Sequence, residues 1–106
     1  MKFLSKDDIS QLLQKLVDYI VVELKPNKII LFGSFARGDA VDRSDIDLVI
    51  DFGNKISDEE WLNFLHRLSE KNLTLRKMDI LRLDKTSSDL LEAIKKEGIN
   101  LYESKK

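Results

Sequence analysis

Lys28-Ile29-Ile30-Leu31-Phe32-Gly33-Ser34 is an apolar, β-branched run that stops at a glycine turn, and Asp45-Ile46-Asp47-Leu48-Val49-Ile50-Asp51-Phe52 is a second run that opens on two acids one residue apart. The first is too short for a helix and is bounded by turn chemistry, so its spacing predicts a buried strand over 28–32. The second predicts a strand over 45–52. Between them, Phe35-Ala36-Arg37 suits a single helical turn closed by Gly38, and Asp39 to Ser44 reads as a polar loop.

Upstream, Ile9, Leu12, Leu13, Leu16, Val17, Ile20, Val21 and Leu24 recur at three- and four-residue steps, one apolar helical stripe that Pro26 stops. Ser5 with Asp8 supplies its N-cap, and Leu4 can staple onto Ile9. Downstream, Ser57 with Glu60 forms a capping box flanked by Ile56 and Trp61, which predicts a helix to about Asn72 with Trp61, Leu62, Leu65 and Leu68 on its core face. Leu75 to Leu83 alternates as a third strand, placing Asp79 among apolar neighbours. A last helix from Ser87 or Ser88 buries Leu90, Leu91 and Ile94 and ends at Gly98; Ile99 to Tyr102 adds an edge strand, and Glu103 to Lys106 is expected to fray. The order helix, strand, strand, helix, strand, helix, strand describes an α+β fold, a small mixed or antiparallel sheet flanked by helices.

A chain of 106 residues, 42% hydrophobic with one proline, suits one compact domain over 1–106. Eighteen basic against nineteen acidic residues give a net charge of −1, which disfavours strong binding to a long nucleic acid. With no cysteine, the fold depends on neither disulfides nor a thiolate zinc site. The start, Met1-Lys2-Phe3-Leu4-Ser5, runs at once into charge, and no apolar run approaches membrane-spanning length, so a cytoplasmic protein is expected.

Alternate residues of a strand share a face, so Asp45 and Asp47 project side by side with their Cα atoms roughly 7 Å apart. Carboxylates at that spacing can converge on a pair of divalent ions; without cations they repel, and at least one resists ionising. Oxygen donors, no cysteine and a single His66 point to a hard ion, Mg²⁺ or Mn²⁺, the usual companion of a nucleoside triphosphate. Gly33, lacking a Cβ, lets backbone approach phosphate, and the Ser34 hydroxyl can bind one of its oxygens. On that reading Gly33→Val abolishes nucleotide binding more than folding. Each half has a blander reading: Asp-x-Asp also describes solvated charge at a strand end, and Gly-Ser is common turn punctuation.

Between Gly33 and Asp51 two basic residues, Arg37 and Arg43, stand against five acidic ones, a local charge of −3 that cannot take up triphosphate without cations. Arg37 can touch phosphate or orient a carboxylate through its planar fork, or brace the loop in an ion pair. Asp79 suits a third metal ligand that also takes the proton from an attacking hydroxyl, or a partner for Lys77 or Arg76. His66 reads as a solvated surface residue.

Gly33-Ser34-Phe35-Ala36-Arg37-Gly38, then Ser44-Asp45-Ile46-Asp47-Leu48 and the later Asp79, closely resemble the minimal nucleotidyltransferases of the polymerase-beta superfamily over roughly residues 28–83. The resemblance implies that the Gly33-Ser34 turn binds the triphosphate of ATP, that Asp45 and Asp47 carry two Mg²⁺ ions and that Asp79 completes the site. Many such minimal domains are antitoxin halves of HEPN/MNT toxin–antitoxin pairs, which transfer AMP from ATP to a tyrosine of the HEPN ribonuclease toxin. The chain ends at Lys106 without room for a second domain, so the resemblance implies an acceptor surface supplied by a partner, here a HEPN-domain toxin in a hetero-oligomer. A pure interaction module that neutralises its toxin by occlusion, and a nucleotidyltransferase acting on a small hydroxylated molecule, are the alternatives.

Overall fold

The computed structural model describes residues 6–41, 43–53 and 56–105. The expected N-cap at Ser5, the Asp8 side chain and the staple from Leu4 lie outside the described residues. Helix α1 (Lys6–Leu24) buries Leu16, Val17 and Ile20, with Leu12, Leu13, Val21 and Leu24 packed alongside, as its three- and four-residue spacing requires. Pro26, buried after it, lacks the N–H that would continue the helix. Strand β1 (Lys28–Phe32) follows, then a four-residue helix α2 (Ser34–Arg37) closed by Gly38 in the left-handed region at φ 87°. Strand β2 spans Ile46–Asp51.

Helix α3 (Asp58–Lys71) starts at the predicted capping box: the Ser57 hydroxyl accepts the Glu60 N–H at 3.1 Å, and the Glu60 carboxylate accepts the Ser57 N–H at 3.3 Å. Its inner face differs from the expectation. Trp61, Phe64 and Leu68 are buried, whereas Leu62 is 64% exposed. Trp61, Phe64 and Leu68 follow the three- and four-residue steps of a single stripe, and Leu62 sits about 100° around from Trp61.

Strand β3 (Met78–Arg82) is shorter than the expected 75–83. Leu75 is fully exposed in the preceding loop, and Leu83 begins a 3₁₀ turn (Leu83–Lys85). Helix α4 (Ser88–Glu97), capped by the Ser87 hydroxyl, buries Ile94. Strand β4 (Ile99–Glu103) takes in Glu103, and the Ser104 N–H donates to the Asn27 carbonyl at 2.8 Å, so ladder and loop hydrogen bonds hold the segment expected to fray through Ser104.

The sheet is mixed, in the order β3-β2-β1-β4: β1 runs antiparallel to β2 and β4, and β2 runs parallel to β3. Strand alternation sends Ile29, Leu31, Ile46, Leu48 and Ile50 to one face, where α1 and α3 cover them. Phe32 and Val49 point to the other face and meet Ile94 of α4, with Leu81 and Leu90 beside them. Asp47 has the parity of Val49, and Asp79 that of Leu81, so both carboxylates belong to the α4 face. At the far end of β3 the buried Arg82 guanidinium donates to Asp58 at 2.7 Å, Asp84 at 2.8 Å and the Ile56 carbonyl at 3.3 Å, the satisfaction that a buried cation requires. Among the described residues no helix is long and apolar enough to cross a membrane.

Candidate active site

The parallel ladder sets Asp47 opposite Asp79, and the antiparallel ladder on the other side sets Asp47 opposite Phe32, the last residue of β1. Asp45 precedes β2 by one residue. The chain leaves Phe32 directly into Gly33, at φ 75° and ψ −156°, a region that residues other than glycine hardly enter. A Cβ built on Gly33 would overlap Oδ2 of Asp47 and lie 3.1 Å from its Cγ. The turn therefore rests directly against the central carboxylate. A side chain at this position is therefore strained in its backbone and crowds Asp47, so Gly33→Val carries a folding cost as well as the expected effect on ligand binding.

Burial raises the Asp47 pKa above its ordinary value; the Asp79 and Asp45 charges push it the same way, as does a hydrogen bond shared with Asp79, while Arg37 opposes them. Asp47 and Asp79 are half-buried. Asp79 is the second residue of β3, an edge strand, so one flank stays open and the burial suggested by its apolar neighbours is only partial.

Among the described residues no group of three or more acidic or imidazole side chains stands, as placed, where it could hold a metal ion. The donors nonetheless fit a hard divalent ion: they are carboxylate oxygens, and Asp47 carries repulsion from both of the others that a cation relieves.

Arg37, exposed at the end of α2, donates from Nε to Asp39 at 3.1 Å and from its Nη1 to Glu97 at 3.0 Å. These two carboxylates raise its pKa. The guanidinium thus braces α2 against the C-terminal end of α4 while its charge reaches Asp47. Glu97 was missed from sequence because it lies 60 residues away in a helix whose pattern reads only as surface charge. Ser34 follows Gly33 at the start of α2, half-buried. Asp51, at the opposite end of β2, is occupied in a turn, accepting the Gly53 N–H at 2.9 Å. His66 is exposed, 3.6 Å from Glu70 in the same helix. A groove of about 640 Å³ between α3, β3 and α4, lined by Trp61, Leu62, Ile80 and Leu90, contains none of the three acids.

Comparison with known proteins agrees with this architecture. MJ1379 of Methanocaldococcus jannaschii, named as a protein adenylyltransferase, is 39% identical over 83 residues, covering 76% of this chain and 79% of that protein. A toxin–antitoxin structure solved with AMP-PNP superposes with a TM-score of 0.70 at 20% identity, covering 87% of this chain and 73% of that one. The structure of a tri-AMPylated Shewanella oneidensis HEPN toxin with its MNT antitoxin gives a TM-score of 0.67 at 18% identity, covering 90% and 72%. At these identities the two structures speak for the fold. The polymerase beta nucleotidyltransferase family pattern matches residues 14–106, from within α1 through β4, and the chain belongs to that family of nucleotidyltransferases.

Proposed function

We propose that this chain is a magnesium-dependent protein adenylyltransferase that moves AMP from ATP onto a hydroxyl, a tyrosine of a partner HEPN toxin, and so acts as the antitoxin in a cytoplasmic complex. Residues 1–106 form one minimal nucleotidyltransferase domain in this reading. The observation that carries it is the Asp47–Asp79 pair, in register across β2 and β3, with Asp47 pressed against the Gly33 turn. The name of the Methanocaldococcus relative and the nucleotide and AMPylated toxin in the two similar structures support the choice of ATP and of a protein acceptor.

Asp45, Asp47 and Asp79 would hold two divalent ions, Mg²⁺ or Mn²⁺, which when bound would supply neutralisation of the triphosphate charge and polarisation of the α-phosphate. The Ser34 hydroxyl and the first N–H groups of α2, which have no partner within the helix, donate to phosphate oxygens beside Gly33. Arg37 adds its planar fork to the phosphates when it releases Asp39 or Glu97. The acceptor hydroxyl attacks the α-phosphorus in line: its oxygen forms the new O–P bond, the α–β bridging bond breaks, pyrophosphate leaves, and the Asp79 carboxylate takes the hydroxyl proton.

The test is labelled ATP with Mg²⁺ and the purified partner, followed by intact mass. Covalent addition of AMP to the partner, lost in the Asp45→Asn, Asp47→Asn double variant while the complex still forms, is the expected result. Full inhibition of the partner without label would replace catalysis by occlusion.

A further inference from the structure

We propose that Arg76 is a positioning residue of this site, locking the spacing between the Gly33-Ser34 turn and Asp45. The inference rests on the nucleotidyltransferase reading and adds a residue that its motif does not contain.

Arg76 lies in the loop before β3. Its Nη1 donates to the Ser44 carbonyl at 2.7 Å, and its guanidinium carbon lies 5.2 Å from the centroid of the Phe35 ring. Ser44 is peptide-bonded to Asp45 and Phe35 to Ser34, so one partly buried cation touches both segments that carry the candidate ligands. The backbone at Arg76 is itself anchored: its N–H donates to Thr74 Oγ1 at 3.0 Å, and the carbonyl of the next residue, Lys77, accepts the Ile46 N–H at 3.0 Å. Ser44 is equally fixed, because its hydroxyl accepts the Val41 N–H at 2.8 Å and its own N–H donates to the Val41 carbonyl at 3.0 Å. Three residues beyond Arg76 the chain reaches Asp79.

The segments bearing Ser34 and Asp45 are therefore joined at one planar group, carried on the loop that leads into the strand of Asp79. A guanidinium can stack on an aromatic face and still donate in its own plane; an ammonium does not do both in a fixed geometry. Removing it leaves the three acids present but loosens their distance from the phosphate-binding turn. Misplacement of reacting groups by about 1 Å lowers rates on the order of 10²-fold.

The experiment compares Arg76→Lys and Arg76→Met with the parent protein. Expected for Arg76→Met is a fall in kcat of roughly 10–100-fold with a higher Mg²⁺ requirement, partial recovery in Arg76→Lys, and non-additivity with Phe35→Leu in a double-mutant cycle. A folded Arg76→Met protein with unchanged kcat and Mg²⁺ dependence, or strict additivity with Phe35→Leu, overturns the inference. An arm independent of activity uses amide spectra of Arg76→Lys, which also serves if the Met variant does not fold. Amides of Ser34, Phe35 and Asp45 should shift while those of Leu101 and Tyr102 in β4 do not; shifts confined to residues 74–78 overturn the positioning role. Failure of the parent protein to transfer AMP, with the amide linkage intact, counts against the proposed function and leaves the positioning role standing.

Discussion

Asp47 and Asp79 are Cα partners across the parallel β2–β3 ladder, and burial, the Asp79 charge and a hydrogen bond with Asp79 all raise the Asp47 pKa above its ordinary value. The folded chain therefore binds a proton at Asp47 more firmly than the unfolded chain does. That contribution to stability is complete below the ordinary value of 3.8 and is lost as pH rises through the raised native value. At pH 7 without metal, ionised Asp47 is a burden that an amide does not carry. Asp47→Asn should melt at a higher temperature than the parent at pH 7 in a chelator, with the gap closing near pH 3.5. Circular-dichroism melts at the two pH values check this, and an equal or lower midpoint at pH 7 would contradict the electrostatics.

Divalent cation should act in the opposite direction on the parent protein. An ion that binds only the folded state stabilises it by about 1.4 kcal/mol at tenfold excess over its Kd, and a domain of this size shifts by roughly 4–8 °C per kcal/mol. Titrating Mg²⁺ into the parent should raise the melting midpoint accordingly. The Asp45→Asn, Asp47→Asn protein should not respond, and a response equal to the parent's would place the ion elsewhere.

Gly33 faces two separate demands, a backbone conformation near φ 75° and ψ −156° and the Asp47 carboxylate lying where a Cβ would go. Gly33→Ala should destabilise the fold by about 1–3 kcal/mol from the backbone alone, with a further loss from displacement of Asp47. Urea unfolding measures the first effect and Mg²⁺-dependent ATP binding the second; both should fall together.

Helix α3 offers a paired control on the core. Phe64 is fully buried and stacks between Tyr19 and Trp61, with ring centroids 5.7 and 6.0 Å away. Phe64→Ala should cost about 3–5 kcal/mol, whereas Leu62→Ala, on the exposed side, should stay within roughly 0.5 kcal/mol of the parent. Chemical denaturation of the two variants decides which residue the core uses.

The sequence by itself determined the element order, because that information is local. The apolar stripe of α1, the Ser57–Glu60 box, the glycine turn after β1 and the Asp45-Ile46-Asp47 alternation each express a repeat or a cap within a few residues, and the family motif rests on the same short spans. Apolarity alone misplaces the inner face of α3: Leu62 and Phe64 are equally apolar on paper, and the three- and four-residue steps from Trp61 to Phe64 and Leu68 select Phe64. Edge position likewise left Asp79 half open and shortened β3. The facing of Asp47 by Asp79, the contact of Gly33 with Asp47, the pairing of Arg37 with Glu97 and the bridge from Arg76 to Ser44 and Phe35 belong to the tertiary structure alone. Each joins segments distant in the chain through strand register or loop packing, and no single-chain periodicity encodes which distant group lies opposite.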